Sequence, residues 1–169
     1  SGELINSDTA NTIPSFFNAV RLLANYMAKI PKPVYYREDD GGRIKDTQHP
    51  AYWLLNYKAN KFTTSYNFFH TLTNNAVWSG NGYAYIERND YQDPIGQWLL
   101  DPRTTYPAWI CSKEGVIEEM VFITQTTDYR GTTTQPIVLP YDDVLHVKSV
   151  SLYSGVEGLS LVDAMRDAL

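Results

Sequence analysis

The pattern of apolar and polar residues is clearest between His49 and Glu87, where it predicts two helices followed by a strand. Pro50 suits the first turn of a short helix, because its missing N–H would have no partner there. In the second helix, apolar residues recur at three- and four-residue steps and therefore share one face. That face consists of Tyr66, Phe69, Leu72, Ala76 and Val77.

Both ends of the second helix carry their own signals. Thr63 or Thr64 can cap its N-terminus, because a side-chain oxygen there accepts a hydrogen bond from a free backbone N–H. Gly80 suits its end, since glycine tolerates the left-handed conformation that follows many helices. We therefore interpret Gly80-Asn81-Gly82 as a turn. A phosphate-binding loop would need a Lys-Ser or Lys-Thr pair opening a helix after the glycines, and here the helix precedes them.

A further amphipathic helix is predicted from Pro14 to Ile30, with Thr12 as its cap and Pro31 and Pro33 beyond its end. Its apolar stripe fits a core helix better than the alternative, an interface helix, because buried positions usually show this spacing. The stripe consists of Ile13, Phe16 or Phe17, Val20, Leu23 or Ala24, Met27 and Ile30.

Short alternating segments, typical of β-strands, dominate the second half of the chain. An earlier pair is joined by the Asp39-Asp40-Gly41-Gly42 turn, where an Asp-Gly pair favours a tight hairpin. Because antiparallel hairpins dominate and the helices lie mainly in the first half, the predicted fold class is α+β, with antiparallel β-hairpins packed against a few helices. The predicted strands are 34–37, 42–45, 83–87, 98–100, 105–111, 116–124, 137–139 and 144–148, with loops at 89–96 and 126–135.

The length of 169 residues and the hydrophobic content of 43% indicate one domain with a self-sufficient core, which we expect to span residues 1–169. Residues 159–169 carry apolar side chains at helical spacing without a stop signal. We expect the start of a helix there that continues in a longer protein, in keeping with Ser1-Gly2, which lacks an initiator methionine.

The charge balance disfavours tight nucleic-acid binding. The net charge is −5 and no basic run occurs, whereas a protein that grips duplex DNA normally carries a basic face. Cys111 is the single cysteine, so no intrachain disulfide can form. No apolar run reaches the length of a membrane span. Asp39 and Asp40 lack further carboxylates at calcium-loop spacing, and we expect neither a metal nor a cofactor.

Catalytic chemistry has one candidate, His146, which follows Asp143 on a predicted strand. A hydrolase would use His146 as a general base oriented by this carboxylate, together with a Ser or Glu. A structural histidine is the favoured alternative, in which Asp143 and His146 form a local polar bond. Glu118 and Glu119 are adjacent on a strand and point to opposite faces, so they cannot act as a facing pair. We predict no catalytic residue.

Several of these segments, in this order, resemble the HK97-like portal family of tailed phages. The family pattern usually has proline at the position of Ala59 and alanine at that of Gly82. The first block of resemblance consists of Met27-Ala28-Lys29-Ile30-Pro31, His49-Pro50, Leu54-Leu55-Asn56, Asn60, Thr63 or Thr64, Phe68 or Phe69, Gly80-Asn81 and Tyr83-Ala84-Tyr85-Ile86.

A second block of resemblance lies near the end of the chain. The segment from Pro140 to Lys148 is similar to a strand motif of the family, and the segment from Gly155 to Leu161 is similar to its turn into a helix. Leu99 to Arg103 is similar more loosely. Together the two blocks cover most of residues 13–169.

The resemblance implies a portal wing-like domain and a structural subunit, not an enzyme, of a phage or prophage portal. Such subunits form a ring-shaped homo-oligomer at one capsid vertex. Double-stranded DNA is packaged and ejected through the ring without sequence-specific binding. The implied partners are terminase, the major capsid protein and neck or tail connectors, without a membrane. The implied location is the virion, and the host cytoplasm during assembly. We expect architectural roles for Pro50, Asn60, Gly80, Asn81, Asp143, His146, Gly155 and Gly158.

An alternative from another class is an aromatic-rich module that binds carbohydrate or peptide. Aromatic residues make up 14% of the chain, including thirteen tyrosines, and such residues are common at interfaces. This hypothesis requires several tryptophans to cluster on one exposed face. The candidate platforms are Trp53, Trp78, Trp98 and Trp109.

Overall fold

The computed structural model describes residues 14–125, 135–151 and 155–166, and the structural statements below concern these residues. The predicted cap Thr12 and residues 126–134 of the predicted loop lie outside them. Helices form at the predicted places. They are α1 (Pro14–Lys29), α2 (Pro50–Asn56), α3 (Ser65–Ser79) and α4 (Leu161–Arg166).

The strands pair in three antiparallel sheets, which confirms the predicted α+β class. A small hairpin joins β1 (Tyr35–Arg37) and β2 (Arg43–Lys45). The first three-stranded sheet has the order β4-β3-β8 and the second has the order β5-β6-β7. Their strands are β3 (Asn81–Arg88), β4 (Pro94–Leu100), β5 (Tyr106–Cys111), β6 (Ile117–Thr124), β7 (Ile137–Pro140) and β8 (Val144–Lys148).

The β3–β4 hairpin extends further than predicted, because β4 begins at Pro94 inside the expected loop 89–96. The Asn89 side chain accounts for the tight turn. Its Oδ1 atom accepts hydrogen bonds from the backbone N–H groups of Tyr91 and Asp93, both at 2.9 Å. Asn side chains often bond backbone two residues on in this way, which lets strand pairing resume early.

Helix α3 begins and ends as predicted. The Thr64 side chain accepts a hydrogen bond from the Asn67 N–H at 3.2 Å, and Gly80 adopts the left-handed conformation with φ of 81° at its C-terminus. The predicted face is partly wrong. The centre of the buried face is Phe68, which is fully buried, whereas Tyr66 is 40% exposed and donates a hydrogen bond to Asn25 of α1. The buried residues of α3 are Ser65, Phe68, Leu72 and Ala76.

The elements stack in four layers in the order α1, α3, first sheet, second sheet. Alternation along β3 connects the inner layers, because successive side chains of a strand point to opposite faces. Ala84 packs with Phe68 and Leu72 of α3, whereas Tyr83 packs with Phe122 of the second sheet. The first sheet is therefore covered on both faces.

Helix α1 differs from the predicted core helix. Val20, Ala24 and Ala28 form its buried stripe, at the four-residue spacing of one helix face. Of the predicted core positions, Leu23 and Ile30 are about half exposed, as is Met27. The contact with α3 combines this stripe of small residues with an edge-on contact between Phe16 and Trp78. Other large apolar side chains of α1, such as Leu22 and Tyr26, stay exposed.

We predict that Phe68→Ala lowers the free energy of unfolding by about 3–5 kcal/mol, because it leaves a cavity between α3 and the first sheet. Phe62 provides a matched control, since it is 79% exposed in the loop before α3. Phe62→Ala should cost less than about 1 kcal/mol. Urea denaturation of both variants measures the difference, and equal losses would contradict this account of the core.

Candidate functional site

Asn81 is the centre of a junction between three segments. It opens β3 directly after Gly80, which ends α3. Strand β8 lies beside it, and the turn formed by residues 155–160 passes over the start of β3 before α4 begins. The sequence-predicted residues Gly80, Asn81, His146 and Gly158 are therefore brought together.

The Asn81 amide links the other two segments to β3. Its Oδ1 accepts a hydrogen bond from the Gly158 N–H at 2.9 Å, and its Nδ2 donates to the Gly158 carbonyl at 3.3 Å. Because the backbone of Gly158 has one donor and one acceptor, it determines which way the amide points. His146 Nε2 lies 2.9 Å from the same Oδ1 and must therefore donate a proton to it. The Nε2–H tautomer of His146 follows.

The two glycines approach so closely that no side chain fits between them. A Cβ atom on Gly158 would lie 2.0 Å from the Gly80 carbonyl oxygen, and one on Gly80 would lie 2.3 Å from the Gly158 oxygen. Both contacts are to backbone, which cannot move aside as a flexible side chain can. Glycine is therefore required sterically at both positions, and at Gly80 also by its positive φ.

Two serines extend the junction to the last helix. The Ser149 N–H donates to the Gly80 carbonyl at 2.9 Å, which ties the end of β8 to the end of α3. Ser160 Oγ donates to the Trp78 carbonyl at 2.8 Å and accepts a hydrogen bond from the Asp163 N–H in the first turn of α4. The junction thus determines where α4 starts and in which direction it leaves the sheet.

His146 also connects the two three-stranded sheets. Its ring stacks on Tyr83 at 4.5 Å between centroids and meets the edge of Phe122 at 5.4 Å. Burial, assisted by the positive charge of Lys148, lowers the pKa of His146 to about 4. Burial also raises the pKa of Tyr83 to about 12, with a contribution from the negative charge of Glu157. Both rings are therefore neutral near pH 7, as a packed aromatic contact requires.

The predicted bond between Asp143 and His146 is wrong. Asp143 Oδ1 instead accepts a hydrogen bond from Arg88 Nε at 2.8 Å, in a half-buried ion pair. His146 follows two residues after the start of β8 and faces Asn81 and Tyr83. The partner Arg88 lies 55 residues away in sequence, at the end of β3, so local spacing carried no signal for it.

The remaining predicted residues lie elsewhere in the fold. Pro50 opens α2. Asn60 is buried, donates to the Gln97 carbonyl of β4 at 2.7 Å, and accepts bonds from two backbone N–H groups of its own loop. Gly155 is exposed, has a φ of 68°, and accepts a hydrogen bond from Lys148 Nζ. None of these three residues bonds to Asn81 in the described structure.

Gly82 was missed as a structural requirement. A Cβ atom there would lie 2.5 Å from the Leu72 carbonyl oxygen of α3, again a backbone atom. Glycine at this position lets α3 lie directly on β3. The family pattern usually has alanine at this position, and only the distance between α3 and β3 shows that this chain needs glycine here.

The geometry does not assemble the alternative sites. Asp143 and His146 face different partners, so the convergence that a hydrolase needs is not found. Within the described ranges, no group of three or more His, Cys, Asp or Glu could hold a metal ion. No described helix combines the length and apolarity needed to cross a membrane.

The tryptophans do not form a shared platform. They belong to four different elements, and no ring contact joins two of them in the described part of the chain. Trp53 stacks on Tyr57, and Trp78 meets Phe16 edge-on. The observed placement therefore gives no support to the carbohydrate- or peptide-binding module.

Comparison with known proteins identifies a family over nearly the whole chain. Residues 14–169 match the family model described as phage portal protein. The portal protein of Enterobacteria phage HK97 is 29% identical over 92 residues, which is 54% of this chain and 22% of that protein.

Solved structures share the fold. A protein from the neck of an empty gene transfer agent (GTA) particle, computed with C6 symmetry, superposes with a TM-score of 0.66 at 21% identity, over 92% of this chain and 39% of that one. An HK97 family phage portal protein from Corynebacterium diphtheriae superposes with a TM-score of 0.54 at 15% identity, over 98% of this chain and 46% of that one. The chain thus spans less than half the length of each.

We predict that Gly158→Ala lowers the free energy of unfolding by about 1–3 kcal/mol, because the new methyl group must displace the Gly80 backbone. Gly42→Ala is the matched control. The Cβ atom there meets chiefly the flexible Glu38 carboxylate, at 2.7 Å, so it should cost less than about 0.5 kcal/mol. Denaturation curves measure both, and a neutral Gly158→Ala would contradict the steric requirement.

We also predict a pH dependence that arises from His146. The unfolded ring takes up a proton near pH 6.5 and the folded ring only near pH 4, so the unfolded state binds more protons between these values. The stabilisation is complete above pH 6.5 and is lost as pH falls through this window. Because the His146 ring is partly exposed and solvent screens its interactions, we expect the loss in unfolding free energy to be on the order of 1–2 kcal/mol.

His146→Gln, which keeps a donor but does not titrate, isolates this effect. The difference in unfolding free energy between the original chain and the variant should shrink from pH 7 to pH 4. A constant difference, or an NMR titration that places the ring pKa near 6.5, would refute the assignment.

Proposed function

This chain belongs to the phage portal protein family, and we propose that it is part of a structural subunit of a portal ring at a capsid vertex. The observation that carries the proposal is the family match over residues 14–169. We also propose that residues 1–169 form a single wing-like domain, followed in a longer protein by the helix that α4 begins.

The proposed mechanism is geometric. Identical subunits close into a ring when each contacts the next through two different surfaces and the rotation per subunit divides a full turn. GTA neck structures computed with C6 and with C12 symmetry contain proteins of this fold, which supports a ring of this kind. The acidic balance of the chain suits a passage for DNA, because cationic phosphate contacts would retard movement.

Asn81 and its neighbours have a defined task in this proposal. A ring subunit must hold its parts at fixed angles, since small errors at each subunit accumulate around the ring. The Gly80–Gly158 approach and the Asn81 bonds fix α4 relative to the first sheet. We infer that the junction transmits the orientation of this domain to whatever follows α4.

The finer parts of the proposal concern partners and location. We propose that double-stranded DNA passes through the ring without sequence-specific binding, and that terminase, the major capsid protein and neck or tail connectors bind to it. The subunit would reside in the virion, after assembly in the host cytoplasm. We propose a structural role and not a catalytic one, and the match to the phage portal protein family supports this.

We predict that the complete gene product carrying this sequence forms closed rings with a central channel. Native mass spectrometry would give a single high subunit number, and negative-stain imaging would show rings. A persistent monomer or dimer across protein concentrations and salt would contradict the proposal, and a glycan and peptide binding screen would then test the aromatic-rich module.

A further inference from the structure

Two apolar patches lie on different sides of the four-layer stack. The first, the helix patch, faces outward from α1 and the residue after it. Its four large side chains are between 47% and 62% exposed, although α1 already packs on α3 through Val20, Ala24 and Ala28. The helix patch consists of Leu22, Leu23, Tyr26 and Ile30.

The second, the sheet patch, lies on the outer face of the second sheet. Phe122 points inward to Tyr83, so Ile123, the next residue of β6, points to the outer face. Val121 lies on the same face as Ile123 but is only 6% exposed. Strand pairing places the sheet patch on that outer face, because Tyr106 and Val138 both lie opposite Ile123. Its exposed residues, between 43% and 58% exposed, are Tyr106, Ile110 and Val138.

The charges around the two patches are opposite. Residues 14–33 contain Arg21, Lys29 and Lys32 and no acidic residue. Apart from Asp143, which is paired with Arg88, the second sheet and its turns, residues 105–124 and 136–143, contain four acidic residues and one basic residue. Glu119 is on the outer face, opposite Ile110. Two copies joined patch to like patch would bring charges of the same sign together, whereas helix patch against sheet patch brings opposite signs together.

From this arrangement we propose that the helix patch of one copy docks on the sheet patch of a second copy. The contact is heterologous, because the two patches differ and lie on different sides of the layers. Such contacts repeat from copy to copy until a ring closes. This inference rests on the proposed ring function and names the surfaces through which neighbouring subunits meet.

The area of the two patches determines how tightly two copies are expected to bind. Three or four half-exposed large side chains offer on the order of 300–400 Å² per copy, at most about half of the roughly 800 Å² that each partner contributes to a stable interface. We therefore expect one isolated contact to be weak, with a Kd in the high micromolar range, and closure of a ring to add stability. Measurements on the 169-residue chain should extend to about 1 mM, which exceeds that range.

Three matched Tyr→Glu variants test the proposal. Tyr26→Glu places a carboxylate in the helix patch, and Tyr106→Glu places one in the sheet patch. Tyr91→Glu is the control, because Tyr91 is 87% exposed in the β3–β4 turn and belongs to neither patch. Sedimentation velocity over a concentration series gives the state of association, and two-dimensional NMR spectra establish that each variant is folded.

The expected result has three parts. The original chain and Tyr91→Glu associate with increasing concentration, whereas Tyr26→Glu alone and Tyr106→Glu alone stay monomeric, with association weakened at least tenfold. An equimolar mixture of these two forms a dimer and nothing larger, because each variant retains the one patch that the other lacks. Only a contact between two different patches gives a dimer that cannot grow further from two variants that are each monomeric alone.

Other outcomes would overturn the inference. These are an original chain that stays monomeric up to about 1 mM, a patch variant that assembles like the original, or a mixture that stays monomeric. If a patch variant is unfolded, Leu22→Glu and Val138→Glu replace Tyr26→Glu and Tyr106→Glu. Any of these failures leaves the ring itself to be judged by imaging the complete gene product, so the two proposals fail separately.

Discussion

The close approach of Gly80 and Gly158 is the constraint on which the rest of the structure depends. Two backbone carbonyls lie where any Cβ atom would have to be, and the Asn81 amide holds them there through both polar groups of Gly158. The end of α3, the start of β3 and the turn before α4 are thereby held together. A single polar side chain thus joins parts of the chain 77 residues apart.

Packing of the neutral His146 ring connects the junction at Asn81 to the contact between the two sheets. His146 donates to Asn81 on one side and stacks on Tyr83 on the other, so it belongs both to the junction and to the contact between the sheets. Its low pKa is the consequence of burial at that place and not a sign of proton transfer. A histidine near a carboxylate in sequence can therefore take other partners in the fold, as His146 does with Asn81 and Tyr83.

The layered arrangement separates the inner core from the outer surfaces. The first sheet is covered on both faces, by α3 and by the second sheet, so it needs no partner. The outer layers, α1 and the second sheet, each keep large apolar side chains exposed. A subunit that must be rigid inside and join copies of itself outside is well served by this division.

Sequence determined the elements wherever the cause is local. Thr64 and Gly80 mark the ends of α3 through capping and a positive φ, and strand alternation predicted the hairpins and the α+β class. The order of several weak motifs along the chain also indicates the family, which the match over residues 14–169 confirms. Asn81 and Gly158 were expected to matter, although nothing in their spacing showed that they touch.

Tertiary structure alone decided the partners and the exposed faces. Asp143 pairs with Arg88 and not with His146, Gly82 is required by the backbone of α3, and half of the α1 stripe lies outside the core. Periodicity tells which residues share a face but not which face meets another element. Long-range hydrogen bonds likewise depend on how far apart the folded segments lie. Local preferences therefore specified the helices and strands, and only the packing of these elements on one another specified the junction at Asn81.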